Sequence, residues 1–399
     1  MNGNNGIEVA DIFRKFGPDY RKKNGIQMSR NQWRAMRAIE ICRTAELGGH
    51  IDKCDRCGKE RNSYNSCRNR NCPKCQFLRK EKWAADRIKD LLPIEYFHIV
   101  FTIPHILNPI ALRNQKEFYG IFFKSVSETL LTLSEDPKHL GAKIGFISIL
   151  HTWGQNLSLH PHVHSIVTGG GLSKDGKNWI SCKEGFFIYV KVLSSFFRNR
   201  FLQNFEKSYK AGNLIFSEKY EDEFSDFIKE LKSKEWVVYS KPPFKNPETV
   251  IRYLARYTHR IAISNQRIKS MKGDKVSFTW KDYADNNRKK MMTFDANEFI
   301  RRFLIHVLPL RFVKIRHYGI LSHRNKKNLL PVCKNLLGVD VFDNADNFKN
   351  EKWQDLLLRT TGRDVNLCPY CKNGNMIKIK ILPAMILNTE EVSEIKKPP

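Results

Sequence analysis

Residues 160–171 have the sequence HPHVHSIVTGGG, which gives the clearest indication of the fold. Residues two apart on a strand point to the same face of a sheet, so a strand over His162–Thr168 presents His162 and His164 side by side. The three glycines that follow predict the end of this strand. Ile144–His151 is a second predicted strand, and the short connection favours antiparallel pairing of the two.

Two imidazoles on one face of a strand can bind one divalent metal ion and leave open positions for a phosphate oxygen. We therefore predict Mg²⁺ or Mn²⁺ at His162 and His164. A third ligand must come from elsewhere, and His160 and Gln155 are the candidates. A pair of structural histidines without a metal is the alternative.

Thr249–Ile263 is a predicted helix that contains Tyr253-Leu-Ala-Arg-Tyr257. The spacing of four places both phenols on one helical face. No acidic residue occurs from position 249 through 273, and four arginines accompany the tyrosines: Arg252, Arg256, Arg260 and Arg267. Packing is the commoner role of such a pair, but cations and a nearby metal site also make both tyrosines candidate nucleophiles.

The chemistry of a phenol explains why it needs this setting. Its ordinary pKa of about 10 makes it a poor nucleophile at neutral pH. It can attack a phosphodiester if a metal ion polarises the non-bridging oxygens and cations offset the developing charge. The products are a 5′-phosphotyrosine and a free 3′-OH, so the bond energy is conserved for later strand joining.

Clustered CxxC pairs in a chain without a readable export signal predict metal binding rather than disulfides. The spacing of the first two pairs predicts one tetrahedral Zn²⁺ site, with the ligands Cys54, Cys57, Cys72 and Cys75. Four thiolates leave no open coordination position, so we expect a structural ion. Cys67 and His50 are additional candidates.

A further CxxC pair, Cys368 and Cys371, lies near the C-terminus and is half of a site. Cys333 or a nearby histidine could complete it, or the pair could bind nothing.

The net charge of the chain indicates what kind of molecule it binds. The chain has 399 residues with 69 Lys+Arg against 41 Asp+Glu, a net charge of +28, which attracts polyanions and above all nucleic acid. No stretch approaches 18 apolar residues, and the first ten residues predict no signal peptide, so we expect no membrane span and a cytoplasmic location.

Residues 299–339 contain nine Lys/Arg and no acidic residue, with Phe303, Phe312 and Tyr318 interleaved. Cations for phosphates and rings for unstacked bases predict a groove for single-stranded DNA, centred on Lys314–Gly319. A solvated charged face is the alternative.

The pattern of elements predicts an α+β protein whose catalytic domain is an antiparallel sheet with helices on one face. We expect a helical zinc-binding and DNA-binding domain over residues 1–92 and a catalytic domain over 93–335. A small C-terminal region with the last CxxC pair completes the chain over 336–399.

Three stretches, in this order, carry a resemblance to a known family: Asn65–Cys75, His160–His164 with the glycines after it, and Arg252–Arg260. They resemble the HUH-type two-tyrosine rolling-circle transposases of bacterial insertion sequences, in which a zinc-binding domain precedes the transposase domain. The resemblance covers Ile26–Asn328. Asn71 departs from it, because the family often has a histidine there.

The resemblance implies an HUH-endonuclease-like sheet, a metal at His162 and His164, and nucleophiles at Tyr253 and Tyr257. The predicted function is therefore a transposase that nicks and rejoins single-stranded DNA at transposon ends. A rolling-circle replication initiator or relaxase is the alternative with the same chemistry. A zinc-containing DNA-binding protein without catalysis is the alternative from another class. A three-carboxylate, RNase H-like transposase leaves the histidine strand unexplained.

Overall fold

A computed structural model of the chain describes residues 6–88, 90–216, 223–244, 249–250, 253, 261–283, 285–339 and 352–385. The helices in these ranges are α1 (Val9–Asn24), α2 (Arg30–Glu40), α3 (Gln76–Ile88), α4 (Asn108–Arg113), α5 (Gln115–Glu135), α6 (Val190–Lys210), α7 (Phe224–Ser233), α8 (Ala296–Leu304), α9 (His323–Leu336) and α10 (Trp353–Thr361). The strands are β1 (Gly49–Cys54), β2 (Glu60–Tyr64), β3 (Tyr96–Thr102), β4 (Ala142–Trp153), β5 (Leu159–Ser173), β6 (Trp179–Ser181), β7 (Val238–Phe244), β8 (Ile268–Lys272), β9 (Lys275–Asp282), β10 (Arg288–Asp295), β11 (Ile315–Gly319) and β12 (Met376–Leu382).

Contacts divide the chain into two compact units. The first comprises residues 1–82, 263–307 and 350–399, and the second comprises 83–262 and 308–349. This grouping differs from the division at positions 92 and 335 expected from the sequence. The physical reason is that strands far apart in the sequence pair with each other: β12, near the C-terminus, is hydrogen-bonded to β1.

The second unit is built on a six-stranded sheet in the order β11-β4-β5-β3-β7, with β6 paired to β5. Every pair of neighbours is antiparallel. The predicted antiparallel pairing of the two strands around residues 144–151 and 162–168 is confirmed, as is the α+β class.

The larger hydrophobic core lies on one face of this sheet. Val163 and Val167 of β5 are buried there against the aromatic side chains of α5 and α6, including Phe122 and Phe197. Because side chains alternate along a strand, His162 and His164 face the other way. That opposite face carries a smaller apolar cluster, to which α9 contributes Leu330.

The glycines after Thr168 do not end the strand, so that expectation was wrong. β5 continues to Ser173, and the register against β4 shifts at this point, which is a β-bulge. A Cβ on Gly170 would lie 2.7 Å from the carbonyl oxygen of Ile180 on β6, so the close approach of β6 requires glycine there.

The first unit contains two three-stranded antiparallel sheets, in the orders β12-β1-β2 and β10-β9-β8. Helices α1 and α8 pack together through an edge-to-face contact of Phe13 and Phe303, whose ring centroids are 5.2 Å apart. In the described ranges, no helix combines the length and apolar content needed to cross a bilayer.

The aromatic core of the second unit yields a stability prediction. Phe122 is fully buried, with its ring centroid 5.7 Å from that of Phe197. Phe122→Ala should lower the free energy of unfolding by about 3–5 kcal/mol, because it removes buried apolar surface and leaves a cavity. The control is Phe186→Ala, at a ring that is 37% exposed. Urea unfolding that shows equal losses for both variants would contradict this description of the core.

Candidate active site and cysteine clusters

The strand register of the second unit brings a row of polar side chains onto one face of the sheet. His151 of β4 lies directly opposite His162 of β5, and His164 is two residues further along β5. His98 of β3 lies opposite Lys241 of β7. Four neighbouring strands therefore contribute to this row, although their residues are spread over more than 140 positions of the sequence.

Three histidines of the row form a cluster that could hold a metal ion. One ring nitrogen from each of His151, His162 and His164 lies within 4.8 Å of the others. The Nδ1 atom of His162 is 2.7 Å from the carbonyl oxygen of His160, to which it can donate. Such a bond fixes the tautomer that leaves Nε2 as the metal-binding nitrogen.

The third imidazole comes from His151, which the sequence analysis did not consider. His160 does not belong to the cluster, and its ring lies beside that of His105, with centroids 5.2 Å apart. The only sequence signal for His151 was its position at the end of a predicted strand, which gives no register.

Tyr253 lies at the end of the row. Its Oη atom is 3.1 Å from Nζ of Lys241 and 3.3 Å from Nδ1 of His98. On its other side, Nε2 of His98 lies 2.8 Å from Nδ1 of His164. Burial, together with the charges of Lys241 and His162, lowers the pKa of His98 to about 3, so this ring is neutral at pH 7. The other predicted nucleophile, Tyr257, lies outside the described residues.

The first unit contains a cysteine cluster formed by Cys42, Cys67, Cys72 and Cys75. The Sγ atom of Cys75 is 3.6 Å from those of Cys42 and Cys67. Hydrogen bonds from the thiols of Cys42, Cys67 and Cys72 lower the pKa of Cys75, which favours its thiolate form. Sequence reasoning missed Cys42, which stands alone just after α2.

A second cluster joins Cys54 and Cys57 to Cys368 and Cys371. The prediction that Cys54, Cys57 and the pair at 72 and 75 share one site is therefore wrong, as is the suggestion that Cys333 or a histidine completes the C-terminal pair. Spacing along the chain showed which cysteines form turns, but the strand pairing of β1 with β12 decides which turns meet. His50 belongs to neither cluster, and its Nε2 atom lies 3.3 Å from a carboxylate oxygen of Asp52.

The distances between the sulfur atoms fit zinc. Four thiolates at about 2.3 Å from a tetrahedral Zn²⁺ ion lie roughly 3.8 Å from one another. The closest sulfur pairs are 3.6 Å apart in the first cluster and 3.7 Å apart in the second.

Two of the three rings predicted to stack on bases are not available for it, because Phe303 and Phe312 are buried, with exposed fractions of 2% and 7%. The third ring, Tyr318, is half-buried and stacks on Phe146, with centroids 4.9 Å apart. Arg316 packs over the rings of Phe123 and Phe312, at 4.3 Å and 5.4 Å from their centroids. The segment 315–319 is strand β11 at the edge of the sheet.

Comparisons with known proteins match two parts of the chain. A family model described as "Transposase zinc-binding domain" matches residues 12–103, and one described as "Putative transposase" matches residues 145–328. A protein of Sinorhizobium fredii (strain NBRC 101917 / NGR234), "Putative transposase y4qJ", is 48% identical over 381 residues, which cover 94% of this chain and 96% of that protein. The chain belongs to this family of transposases.

A more distant relative is "Transposase for insertion sequence element IS801" of Pseudomonas savastanoi pv. phaseolicola. It is 25% identical over 296 residues, or 73% of this chain and 70% of that protein. No solved structure gives a significant match. The resemblance inferred from the sequence is confirmed, and the chain is a DNA-processing enzyme. The matched zinc-binding domain contains all four cysteines of the first cluster, which supports Zn²⁺ there.

The participation of Cys42 in the first cluster can be tested by zinc analysis. Cys42→Ser should lower the zinc content of the purified transposase by one equivalent, because three thiolates bind the ion much less tightly than four. Inductively coupled plasma mass spectrometry measures the content. Cys333→Ser is the control, since Cys333 is also buried but lies outside both clusters. An unchanged zinc content in Cys42→Ser would exclude Cys42 as a ligand.

Proposed function

We propose that this transposase nicks and rejoins single-stranded DNA at transposon ends through a 5′-phosphotyrosine, in a rolling-circle type of transposition. The observation that carries the proposal is the continuous contact from the histidine cluster through His98 to Tyr253. The place of action is the element's DNA in the bacterial cytoplasm.

The histidine cluster fits a divalent metal ion. Three imidazoles leave coordination positions for a substrate, as in other metal sites that act on substrates. Of the two ions expected from the sequence, this donor set favours Mn²⁺, because Mg²⁺ takes oxygen ligands. A metal ion bound there supplies positive charge to the non-bridging oxygens of the scissile phosphate.

His98 is a positioning residue between the metal ligands and the nucleophile. If Nδ1–H of His164 donates to Nε2 of His98, then Nε2 of His164 carries the lone pair that a metal requires. The neutral His98 ring then has its proton on Nδ1, which faces the oxygen of Tyr253 at 3.3 Å. One choice of tautomers thus serves both the metal site and the phenol.

Tyr253 has the surroundings of a nucleophile. The ammonium group of Lys241 and Nδ1–H of His98 both donate toward its oxygen, and they stabilise the negative charge that develops during attack. The phenol oxygen forms the bond to phosphorus, the bond from phosphorus to the 3′ oxygen breaks, and the phenol proton passes through solvent to the departing 3′ oxygen. Rejoining reverses these steps with a new 3′-OH.

Tyr257 is the proposed second nucleophile. Its spacing of four from Tyr253 would let one tyrosine cleave while the other holds a strand, so that two ends can be exchanged.

The basic face of α9 is a candidate surface for the DNA backbone. A cavity of about 370 Å³ lies along this helix and is lined by four basic or titratable side chains: His323, Lys326, Lys327 and Lys334. Helix α9 packs on the same face of the sheet as the histidine row, through Leu330. Phosphate contacts from such a surface position DNA without reading its sequence.

The nucleophile is tested by trapping the covalent adduct. End-labelled single-stranded DNA that covers the ends of the element should form a protein adduct with Mn²⁺, visible on a denaturing gel. We expect Tyr253→Phe to lower the adduct yield and the double variant Tyr253→Phe/Tyr257→Phe to abolish it, because neither ring then carries a nucleophilic oxygen. The single variants rank the two tyrosines.

Tyr239→Phe is the matched control, because Tyr239 lies on β7 near the site but is 53% exposed. It should give the wild-type yield. Binding of the DNA without any adduct, with Mn²⁺ and with Mg²⁺, would overturn the proposal and favour the non-catalytic DNA-binding protein.

The metal site is tested by the affinity for Mn²⁺, measured by titration of the zinc-loaded protein with detection of free Mn²⁺. His98→Ala should weaken binding by about 10–100-fold, the loss typical of a residue that orients a ligand. His151→Ala removes a ligand and should weaken it by more than about 100-fold.

His160→Ala is the control in the same strand and should change the affinity far less than His151→Ala. His160 lies outside the cluster, its ring only packs beside that of His162 with centroids 5.1 Å apart, and the variant keeps the backbone carbonyl that accepts from Nδ1 of His162. A larger effect for His160→Ala than for His151→Ala would show that the third ligand has been misassigned.

A further inference from the structure

Two CxxC turns from opposite ends of the sequence face each other beside the sheet β12-β1-β2. The Sγ atoms of Cys54 and Cys371 are 3.7 Å apart, and those of Cys57 and Cys368 are also 3.7 Å apart. We propose that these four thiolates bind a second Zn²⁺ ion, which ties the C-terminal strand to the N-terminal hairpin. Cys368 and Cys371 lie beyond the residues that either family model matches.

The two turns have the same backbone conformation. The residue after the second cysteine has a left-handed φ in both, 69° at Gly58 and 58° at Lys372. Its N–H donates to the carbonyl of the first cysteine in both, at 3.1 Å to Cys54 and 3.0 Å to Cys368. A lysine in this region is uncommon and must be held there by its surroundings. The repeated turn directs two sulfur atoms of each pair toward a common point.

Two backbone N–H groups point at one sulfur atom of this cluster. Arg56 and Cys57 both donate their N–H groups to Sγ of Cys54, at 3.4 Å. Hydrogen bonds from surrounding groups orient a ligand atom toward a metal ion.

The two turns also interlock directly. The N–H of Asp55 donates to the carbonyl of Asn375 at 3.1 Å, and the N–H of Asn375 donates to the Asp55 carboxylate at 2.8 Å. A Cβ on Gly374 would lie 2.5 Å from Sγ of Cys54, so only glycine permits this approach. The position of each turn therefore depends on the other.

Strand β12 buries too little apolar surface to hold this arrangement alone. Its three isoleucines, Ile377, Ile379 and Ile381, are 53%, 51% and 67% exposed. A small sheet with a strand as exposed as β12 needs another source of stability, and a structural zinc ion is a common one. The inference stands independently of the phosphotyrosine chemistry, because it concerns only this sheet.

The two zinc sites differ in their access to solvent. Each cluster has two buried cysteines, but Cys57 of the second cluster is exposed, whereas the other two cysteines of the first, Cys67 and Cys75, are half-buried. A chelator should therefore remove the second ion faster than the first.

Zinc content of the full-length protein tests whether the two ends share one ion. The wild type should contain two zinc ions per chain, and Cys54→Ser and Cys368→Ser should each contain one. The double variant Cys54→Ser/Cys368→Ser should also contain one, because both changes remove the same ion. Cys182→Ser, outside both clusters, should retain two.

Light scattering on the same samples shows whether the two turns belong to one chain. A wild type with a single zinc ion would overturn the proposal, and so would a double variant that loses more zinc than either single variant. A zinc-dependent dimer that Cys368→Ser dissociates would show that the turns meet between chains, which also overturns it.

Release of zinc to a coloured chelator in the presence of EDTA supplies a second readout. We expect two phases in the wild type, with the fast phase missing in Cys368→Ser and the slow phase missing in Cys67→Ser. A fast phase that survives in Cys368→Ser would contradict the assignment even if the zinc contents agreed with it.

Discussion

The antiparallel register of β4, β5, β3 and β7 is the constraint on which the candidate active site depends. Residues opposite each other in an antiparallel sheet share a face, with Cβ atoms about 5 Å apart. The register therefore places His151 against His162 and His98 against Lys241, and Tyr253 closes the row above them. If the register of any strand pair shifted by one residue, one side chain of the row would point to the opposite face of the sheet, where the aromatic core lies.

Alternation along β5 places the hydrophobic core and the candidate active site on opposite faces of the sheet. Alternation along β5 sends Val163 and Val167 to the aromatic layer of α5 and α6, and His162 and His164 to the opposite side. The helical layer supports the sheet from one side, and on the other side the imidazoles and the phenol are held by aromatic neighbours. The ring of His151 lies 4.6 Å from that of Trp153, and the ring of Tyr253 lies 4.8 Å from that of Phe244. The glycine run after Thr168 bends β5 beyond the site rather than ending it.

The pairing of the cysteines shows where sequence reasoning reached its limit. Spacing identified each CxxC turn, because two cysteines three positions apart lie in the same turn and can both point to one metal ion. It gave no basis for choosing which turns meet, and the nearest pairs in the sequence turned out to belong to different clusters. Cys42 had no local signal at all. Similarly, the composition of the basic stretch gave no indication that Phe303 and Phe312 are buried.

The sequence by itself determined the features that depend on neighbouring residues. These are the shared face of His162 and His164, the CxxC turns, the α+β class, the excess of positive charge and the resemblance to a transposase family. Only the tertiary structure decided that His151 is the third imidazole of the cluster, that His98 connects this histidine cluster to Tyr253, and that the two ends of the chain meet at one cysteine cluster. The physical reason is that periodicity and turn spacing act within a few residues, whereas strand register and contacts between distant segments are set by the packing of the whole chain.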